Sequence, residues 1–338
     1  MCSTLTHRIS TPSRLHFTLI DMNGESGRVD GSLGLSIQHP GFSFEFGPHE
    51  RIEINGGSQG EQKLIAAEIA ASCETLQVKP GIQISIGQTI PSHQGLGSGT
   101  QIRLAILSAL NKRFELNHSL EELCTMSTRG GTSGIGINAF QNGGLLIDGG
   151  HSVNSQKKSF APSHFATKVG QPPLLMRAEF PKTWGIVLFI PSEHRGLSGQ
   201  EELDFMLDNT PIPLVEVQSV SHLVLMLLLP ALRELDLETF GLSVDAIQDV
   251  GWKRRHWNRP DMALLRSVKS AFSATIGIHG CGLSSTGATM FGFFDSNEFS
   301  DESIADKLIS ELEERKTLKG QVLCTRANNS GMQLDSVF

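Results

Sequence analysis

The chain has 338 residues, 39% of them hydrophobic and 19% charged, with a formal net charge of −7. That profile fits a folded globular protein, long enough for two ordinary domains and able to bury a core without covalent staples. The acidic balance argues against a nucleic-acid surface, so an anionic substrate has to be held by locally gathered N–H groups and arginines.

Cys2, Cys73, Cys124, Cys281 and Cys324 are odd in number, scattered and free of any Cys-x-x-Cys pair. They read as reduced thiols of a cytoplasmic protein, with neither a disulfide framework nor a thiolate metal site. The first residues carry no basic-then-apolar signal pattern.

Residues 14–20 alternate as a strand, and residues 33–37 form a second apolar segment across the polar loop 21–30. That loop gathers Asp21, Glu25, Arg28 and Asp30 among glycines, which suits either a functional loop or a solvated turn. Residues 42–46 and 51–54 are expected to form a further hairpin, and residues 61–76 an amphipathic helix. Ile82, Ile84 and Ile86 then alternate as a half-buried strand, while Ile102, Ala105, Ile106, Ala109, Leu110 and Phe114 recur at helical spacing.

Between them lies the turn 91–101, Pro-Ser-His-Gln-Gly-Leu-Gly-Ser-Gly-Thr-Gln. Ser98 or Thr100 can cap the helix, whose first N–H groups and dipole make an anion site; otherwise Gly95, Gly97 and Gly99 only relax a loop. No Gly-Lys-Ser/Thr follows, the dinucleotide fingerprint lacks its last small residue, and no Gly-x-Ser-x-Gly elbow is present.

Ser119 and Glu122 form a capping box for a short helix ending near Ser127. A second glycine-dense stretch, residues 129–144, precedes a strand at 145–148, and residues 152–173, with Lys157 and Lys158, read as an exposed loop near a domain boundary. A buried strand is predicted at 185–190 and helices at 199–207, 215–235, 243–257 and 261–278. The most apolar run, residues 223–229, stops at Pro230 and is too short to span a bilayer, so a buried core helix and no membrane contact are expected. A third glycine-rich turn, 280–289, precedes a strand at 290–294; a helix at 300–315 and a strand at 321–326 complete the chain.

Three glycine-rich turns in this order, with Pro-x-x-x-Gly-Leu-Gly-Ser in the first, resemble the superfamily of small-molecule kinases named for galactose, homoserine, mevalonate and phosphomevalonate. Residues 13–17, 91–101 and, more loosely, 280–288 are similar to its three motifs. The resemblance implies an α/β (α+β), two-domain GHMP-kinase-like fold. Residues 1–175 would form a ribosomal-protein-S5-domain-2-like N-terminal domain and residues 176–338 a ferredoxin-like C-terminal domain. In mevalonate-type kinases the segment matching 132–137 carries an aspartate that acts as base toward the substrate hydroxyl; here that position is Gly136.

A non-kinase branch, the beta-ribofuranosylaminobenzene 5'-phosphate synthase family, is the better resemblance. It rests on residues 14–21 with 27–31, 90–93 with 95–101, 129–136, and 148–152. It implies a glycosyltransferase of methanopterin biosynthesis that condenses 4-aminobenzoate, or its 4-hydroxy counterpart, with phosphoribosyl pyrophosphate, losing pyrophosphate and carbon dioxide. It further implies Mg2+ and a homodimer. Attack by the ring carbon bearing the carboxylate lets decarboxylation restore aromaticity, so that step needs no general base.

On this resemblance the N–H groups of Gly95, Leu96, Gly97, Ser98, Gly99 and Thr100 hold the diphosphate, and Gly282, Ser284 and Gly287 close its other side. Arg28 or Arg129 orients a carboxylate or phosphate oxygen, unless paired within the fold. Asp21, Asp30 and Asp148 are candidates for Mg2+ or ribose hydroxyls, with no metal ligand assigned, and His16, Ser133 and His151 are candidate pocket residues. Lys253, Arg254, Arg255, His256 and Arg259 either hold the ribose 5'-phosphate or form a solvated face; Trp252 and Trp257 are expected in the core or an interface. An ATP-dependent small-molecule kinase and a non-catalytic metabolite binder are the competing readings.

Overall fold

The computed structural model describes residues 5–153, 157, 159–163, 165–317 and 319–337. Cys2 and Lys158, singled out in the sequence, lie outside the described residues.

β1 (His7–Asp21) and β2 (Arg28–Pro48) pair antiparallel from His7 opposite Phe46 to Asp21 opposite Asp30. Leu15, Phe17, Leu33, Leu35, Phe42, Phe44 and Phe46 are buried along this ribbon. Residues 42–46 therefore continue β2 instead of opening a new hairpin. The pairing shifts register between Thr11 and Ser13, and such an irregularity absorbs a bend while the apolar alternation resumes beyond it.

β3 (Glu53–Asn55) runs parallel to β4 (Ile82–Gln88), with α1 (Gln59–Leu76) as the crossover. β4 also lies antiparallel to β2. Then come α2 (Ser98–Arg113), α3 (Leu120–Met126), α4 (Ile135–Gln141), β5 (Leu145–Asp148), β6 (His151–Ser152) and β7 (Leu174–Ala178). The box between Ser119 and Glu122 caps α3 as its spacing predicts. β7 has no clean alternation, because it pairs with β5 and stays mostly exposed.

The second half opens with β8 (Trp184–Pro191), buried along its whole length. It is followed by α5 (Gln200–Asp208), α6 (Leu214–Leu223) and, through a π-helical turn at Val224–Leu228, α7 (Leu229–Glu234). The helix predicted at 215–235 therefore runs through Pro230, which follows the widened turn, where its missing N–H and its ring are tolerated. The continuous helix Leu214–Glu234 has 21 residues, a mean hydropathy of 1.7 over its most apolar window and only 28% of that window buried, so it is long and apolar enough to cross a membrane by length and composition. Val217, Val220, Val224 and Leu228 face the interior, while Leu225 and Met226 are exposed, so the expected buried helix is buried on one stripe only.

α8 (Leu237–Gln248) and α9 (Gly251–Trp257) divide a helix predicted as one, at Gly251 with φ +55°. α10 (Ala263–Ala274), β9 (His279–Leu283), β10 (Met290–Asp295), α11 (Asp301–Glu314), β11 (Gly320–Thr325) and β12 (Gln333–Ser336) follow. The second sheet runs β11-β8-β10-β9, all antiparallel, which with its intervening helices is the split β-α-β arrangement of ferredoxin-like folds. The chain is thus an α/β protein of two sheets. The first sheet draws on both sides of the 175/176 division, since β7 straddles it and β12 returns to pair with β1.

Phe17 of β1 stacks on Phe291 of β10 with ring centroids 4.9 Å apart. This contact fastens the two sheets together beside the glycine turns.

Candidate active site

The turn before α2 is shaped by two glycines with positive φ, Gly95 at +76° and Gly97 at +81°. Gly97, not Ser98 or Thr100, is the N-cap, and no side chain caps the helix. Among the described residues nothing accepts a hydrogen bond from the N–H groups of Ser98 and Gly99. An uncapped N-terminus with free donors and the helix dipole behind it favours an anion. Leu96 is buried, and its carbonyl accepts from the N–H of Arg14 at 3.1 Å.

The third glycine turn closes against the first. Gly287 N–H donates to Ser284 O at 3.1 Å, and Ser284 Oγ donates to Gly95 O at 2.6 Å. A Cβ on Gly287 would stand 2.2 Å from Gly95 N. Gly280 and Gly282 belong to β9 instead of the turn, and a Cβ on Gly282 would strike the Phe291 ring at 2.3 Å. Gly282 therefore serves sheet packing and does not face the cradle.

In front of these turns is a cavity of about 200 Å³ lined by Arg14, His16, Leu19, Thr100, Arg129, Thr132, Ser133, Pro162, Ser163, Glu202, Met206, Trp252, Lys253, Ser285 and Thr286. A wider cleft of about 760 Å³, beside Leu229, Leu232 and Leu235, touches none of the glycine turns. The smaller cavity is the candidate site because its wall gathers cations and N–H donors.

Arg14 donates to Gly95 O and runs under the turn, so that a Cβ on Gly97 would lie 3.1 Å from its Cγ. Burial lowers its pKa to about 10, opposed by Glu202. Arg129 reaches over the start of α2, 3.6 Å from where a Gly99 Cβ would sit, with Glu68 at a loose 3.9 Å. Lys253, 1% exposed, donates to the carbonyls of Leu283 and Ser285, the latter at 2.8 Å. Burial, then Arg14, pushes its pKa well down.

Among the described residues one carboxylate lines the cavity. Glu202 on α5 is 3.4 Å from Thr286 Oγ1, and burial raises its pKa to about 7 against the pull of Thr286 and Arg14. Trp252 lines the cavity from within the core, joined by Leu19 and Met206 as an apolar wall.

Other sequence candidates surround the site without facing it. Arg28 lies outside the cavity, donating to the carbonyls of Gly149 and Gly150 at 2.8 Å each. Asp21 organises its own loop, accepting from Asn23 N, Gly24 N and Ser26 Oγ. Asp30 and His151 are buried together at 2.7 Å, with Lys157 Nζ on the same carboxylate at 2.9 and 3.0 Å. Lys157 also holds Thr132 Oγ1 and Ala161 O, fixing the segment that brings Pro162 and Ser163 to the cavity.

Asp148 accepts from Gly134 N, Gly150 N and Ser32, and burial raises its pKa to about 6. Through Ser32, whose Oγ is 2.7 Å from Ser133 Oγ, it sets the position of Ser133 in the cavity wall. Gly136 packs on Thr100: a Cβ there would be 3.3 Å from the threonine methyl.

Sequence reasoning left Arg14 and Glu202 unassigned. Arg14 stands inside the quoted first motif, so it was within reach; Glu202 joins the site only by tertiary contact.

Residues 63–143 match the GHMP kinases N terminal domain. The chain is 36% identical over 328 residues to a beta-ribofuranosylphenol 5'-phosphate synthase of Archaeoglobus fulgidus, covering 97% of this chain and 99% of that protein. To the protein of the same name from Methanocaldococcus jannaschii it is 33% identical over 339 residues, covering 96% and 99%. The crystal structure of homoserine kinase from Cytophaga hutchinsonii superposes with a TM-score of 0.61 at 17% identity, covering 99% of this chain and 98% of that one, a likeness of fold. By this similarity along nearly its whole length, the chain belongs to the beta-ribofuranosylphenol 5'-phosphate synthase family of transferases, built on the GHMP-kinase fold.

Proposed function

We propose that the chain condenses 4-hydroxybenzoate with phosphoribosyl pyrophosphate, giving beta-ribofuranosylphenol 5'-phosphate, carbon dioxide and pyrophosphate, as a step toward methanopterin. The observation that carries this reading is the charge of the cavity. Arg14, Arg129, Lys253 and the start of α2 converge there on one carboxylate, Glu202, whose pKa of about 7 leaves it half neutral near neutrality. Such a site is built for a polyanion.

In the proposed reaction the bond from the anomeric carbon to the diphosphate oxygen breaks, and its electron pair leaves with pyrophosphate. The ring carbon bearing the carboxylate forms the new carbon–carbon bond. The bond to the carboxylate then breaks, its electrons restore the aromatic ring, and carbon dioxide departs. Ser98 and Gly99 N–H, Arg14 and Arg129 would stabilise the leaving diphosphate, and Leu19, Met206 and Trp252 would hold the ring flat against the sugar.

Mg2+ is proposed to enter as the diphosphate complex. Among the described residues no group of three or more His, Cys, Asp or Glu could hold a metal, which suits an ion carried mostly by phosphate oxygens and water.

The phenolic acceptor follows the relatives' printed name; 4-aminobenzoate is the alternative. Comparing kcat/KM for the two acids tests the choice. A clear preference for 4-hydroxybenzoate is expected, and a preference for 4-aminobenzoate reassigns the acceptor.

Glu202 makes the site sensitive to pH. It is neutral below about 7 and negative above, so pyrophosphate affinity should fall as pH rises through that value. Glu202→Gln should retain the low-pH affinity at pH 8, a difference of about tenfold from the parent. Titration calorimetry of both proteins reads this directly, and superimposable pH profiles would show that Glu202 does not face the anion.

A further inference from the structure

The basic run at 253–259 does not act as one patch. Arg254 and Arg255 both engage Glu216, at 2.5 and 3.0 Å, and Arg259 pairs with Asp261. Lys253 and His256 turn the other way and are buried, at 1% and 0% exposure. They meet His16, 5% exposed, from β1.

This inward group is short of acceptors. Lys253 uses two of its three ammonium donors on the Leu283 and Ser285 carbonyls and has no carboxylate partner among the described residues. Among the described residues neither ring nitrogen of His16 or of His256 has a hydrogen-bond partner. Burial lowers the pKa of both imidazoles well below the usual value, with Lys253 adding to the effect in each. Buried polar groups are nearly always satisfied, and a buried cation without a counter-ion is costly.

Two residues of this group border the same space. His16 and Lys253 line the cavity together with Ser285 and Thr286. The backbone of His16 is locked to that turn, its N–H donating to Ser284 Oγ at 3.1 Å and its carbonyl accepting from Ser285 N–H at 2.9 Å. The arrangement is therefore fixed before any ligand arrives. It is supplied by β1, α9 and the turn after β9, whereas the diphosphate cradle is supplied by the start of α2 and Arg129 and shares β1 only through Arg14, which donates to Gly95 O.

We propose that His16 and Lys253, with the Ser285–Thr286 turn, form a second anion subsite that takes a phosphate monoester, the 5'-phosphate of the sugar donor. This rests on the transfer reaction proposed above. It fixes the polarity of the donor in the cavity: diphosphate toward α2, 5'-phosphate toward α9, with the anomeric carbon between them. His256, behind His16, lies tilted against Phe205 and edge-on to Trp252, with ring centroids 4.7 and 4.9 Å away, and is a positioning residue that keeps the wall packed.

Calorimetry with D-ribose 5-phosphate and with inorganic pyrophosphate, singly and together, tests the assignment on the full-length protein. Both are expected to bind, each with an affinity little changed by saturation with the other. Lys253→Met should weaken ribose 5-phosphate by about tenfold or more and leave pyrophosphate within about twofold. Retained pyrophosphate binding also reports that the variant is folded, and His16→Asn, which keeps one donor, should lose less than Lys253→Met.

Mutual exclusion of the two ligands would overturn the second subsite, as would a Lys253→Met variant that loses pyrophosphate and keeps ribose 5-phosphate. If pyrophosphate binds and ribose 5-phosphate does not, the subsite is wrong while the diphosphate reading stands. If neither binds the parent protein, the transfer reading fails with it.

Discussion

Arg14→Met is expected to lower kcat with phosphoribosyl pyrophosphate by about 10²–10³-fold, the usual effect of removing one preorganised donor from developing negative charge. The methionine keeps most of the aliphatic stem that packs beside Gly97, so the turn should hold its shape while losing its cation. Arg14 also donates to Gly95 O, and the loss of that contact should cost about 1–3 kcal/mol of stability. The two effects separate experimentally. A thermal melt reports the second, and turnover at saturating substrate, well below the melting temperature, reports the first. A folded variant with turnover within about threefold of the parent would remove Arg14 from the catalytic wall.

The second large effect is expected at Gly95. Its φ of +76° is disfavoured for any residue with a side chain, and a Cβ would come within 2.2 Å of Ser284 O and 3.0 Å of Gly287 Cα. Both obstacles are backbone, so no rotamer change relieves them. Gly95→Ala should push the first and third glycine turns apart, open the cavity wall and abolish measurable turnover. The cost to stability should be about 1–3 kcal/mol. Gly60→Ala is the matched control: it lies in α1 and its nearest neighbour would be Ser58 Oγ at 3.9 Å, so activity should be unaffected and the melting temperature should not fall. Full activity in Gly95→Ala would mean that contact between the turns is unimportant to the site.

Much of the fold was legible because its elements carry their own signals. The box at Ser119 and Glu122, the alternation at 82–86 and the helical spacing from Ile102 each report a local preference realised in place. The misreadings came where tertiary structure overrode local pattern. The spacing over 243–257 suggested one helix, yet the chain breaks it at Gly251, where φ is +55°. Apolar alternation at 42–46 suggested a separate strand, but a shift in the β1–β2 register let one long strand bend and continue.

The cavity itself was only partly readable. The glycine turns announced an anion cradle, and Arg129 was singled out for the same charge. Arg28 looked equivalent in sequence but meets two carbonyls elsewhere. Lys253 sat in a basic run that resembles a solvated face, and only the packing of α9 shows it turned inward while its neighbours meet Glu216. Asp30 and His151, both expected in the pocket, instead hold Lys157 and the segment beside it. Charged residues carry no periodic signal telling which of several will be buried, because that depends on which partner the fold brings within reach.

The central claim is that this cradle holds a leaving pyrophosphate and not the transferred phosphate of a kinase. Its most direct test mixes the purified protein with Mg2+, phosphoribosyl pyrophosphate and 4-hydroxybenzoate labelled with carbon-13 in the carboxylate, without ATP. The account predicts labelled carbon dioxide and pyrophosphate released in equal amounts, together with an aryl riboside phosphate that has lost the label. Donor consumption without labelled carbon dioxide, or no reaction until ATP and a small-molecule alcohol are supplied, would contradict it.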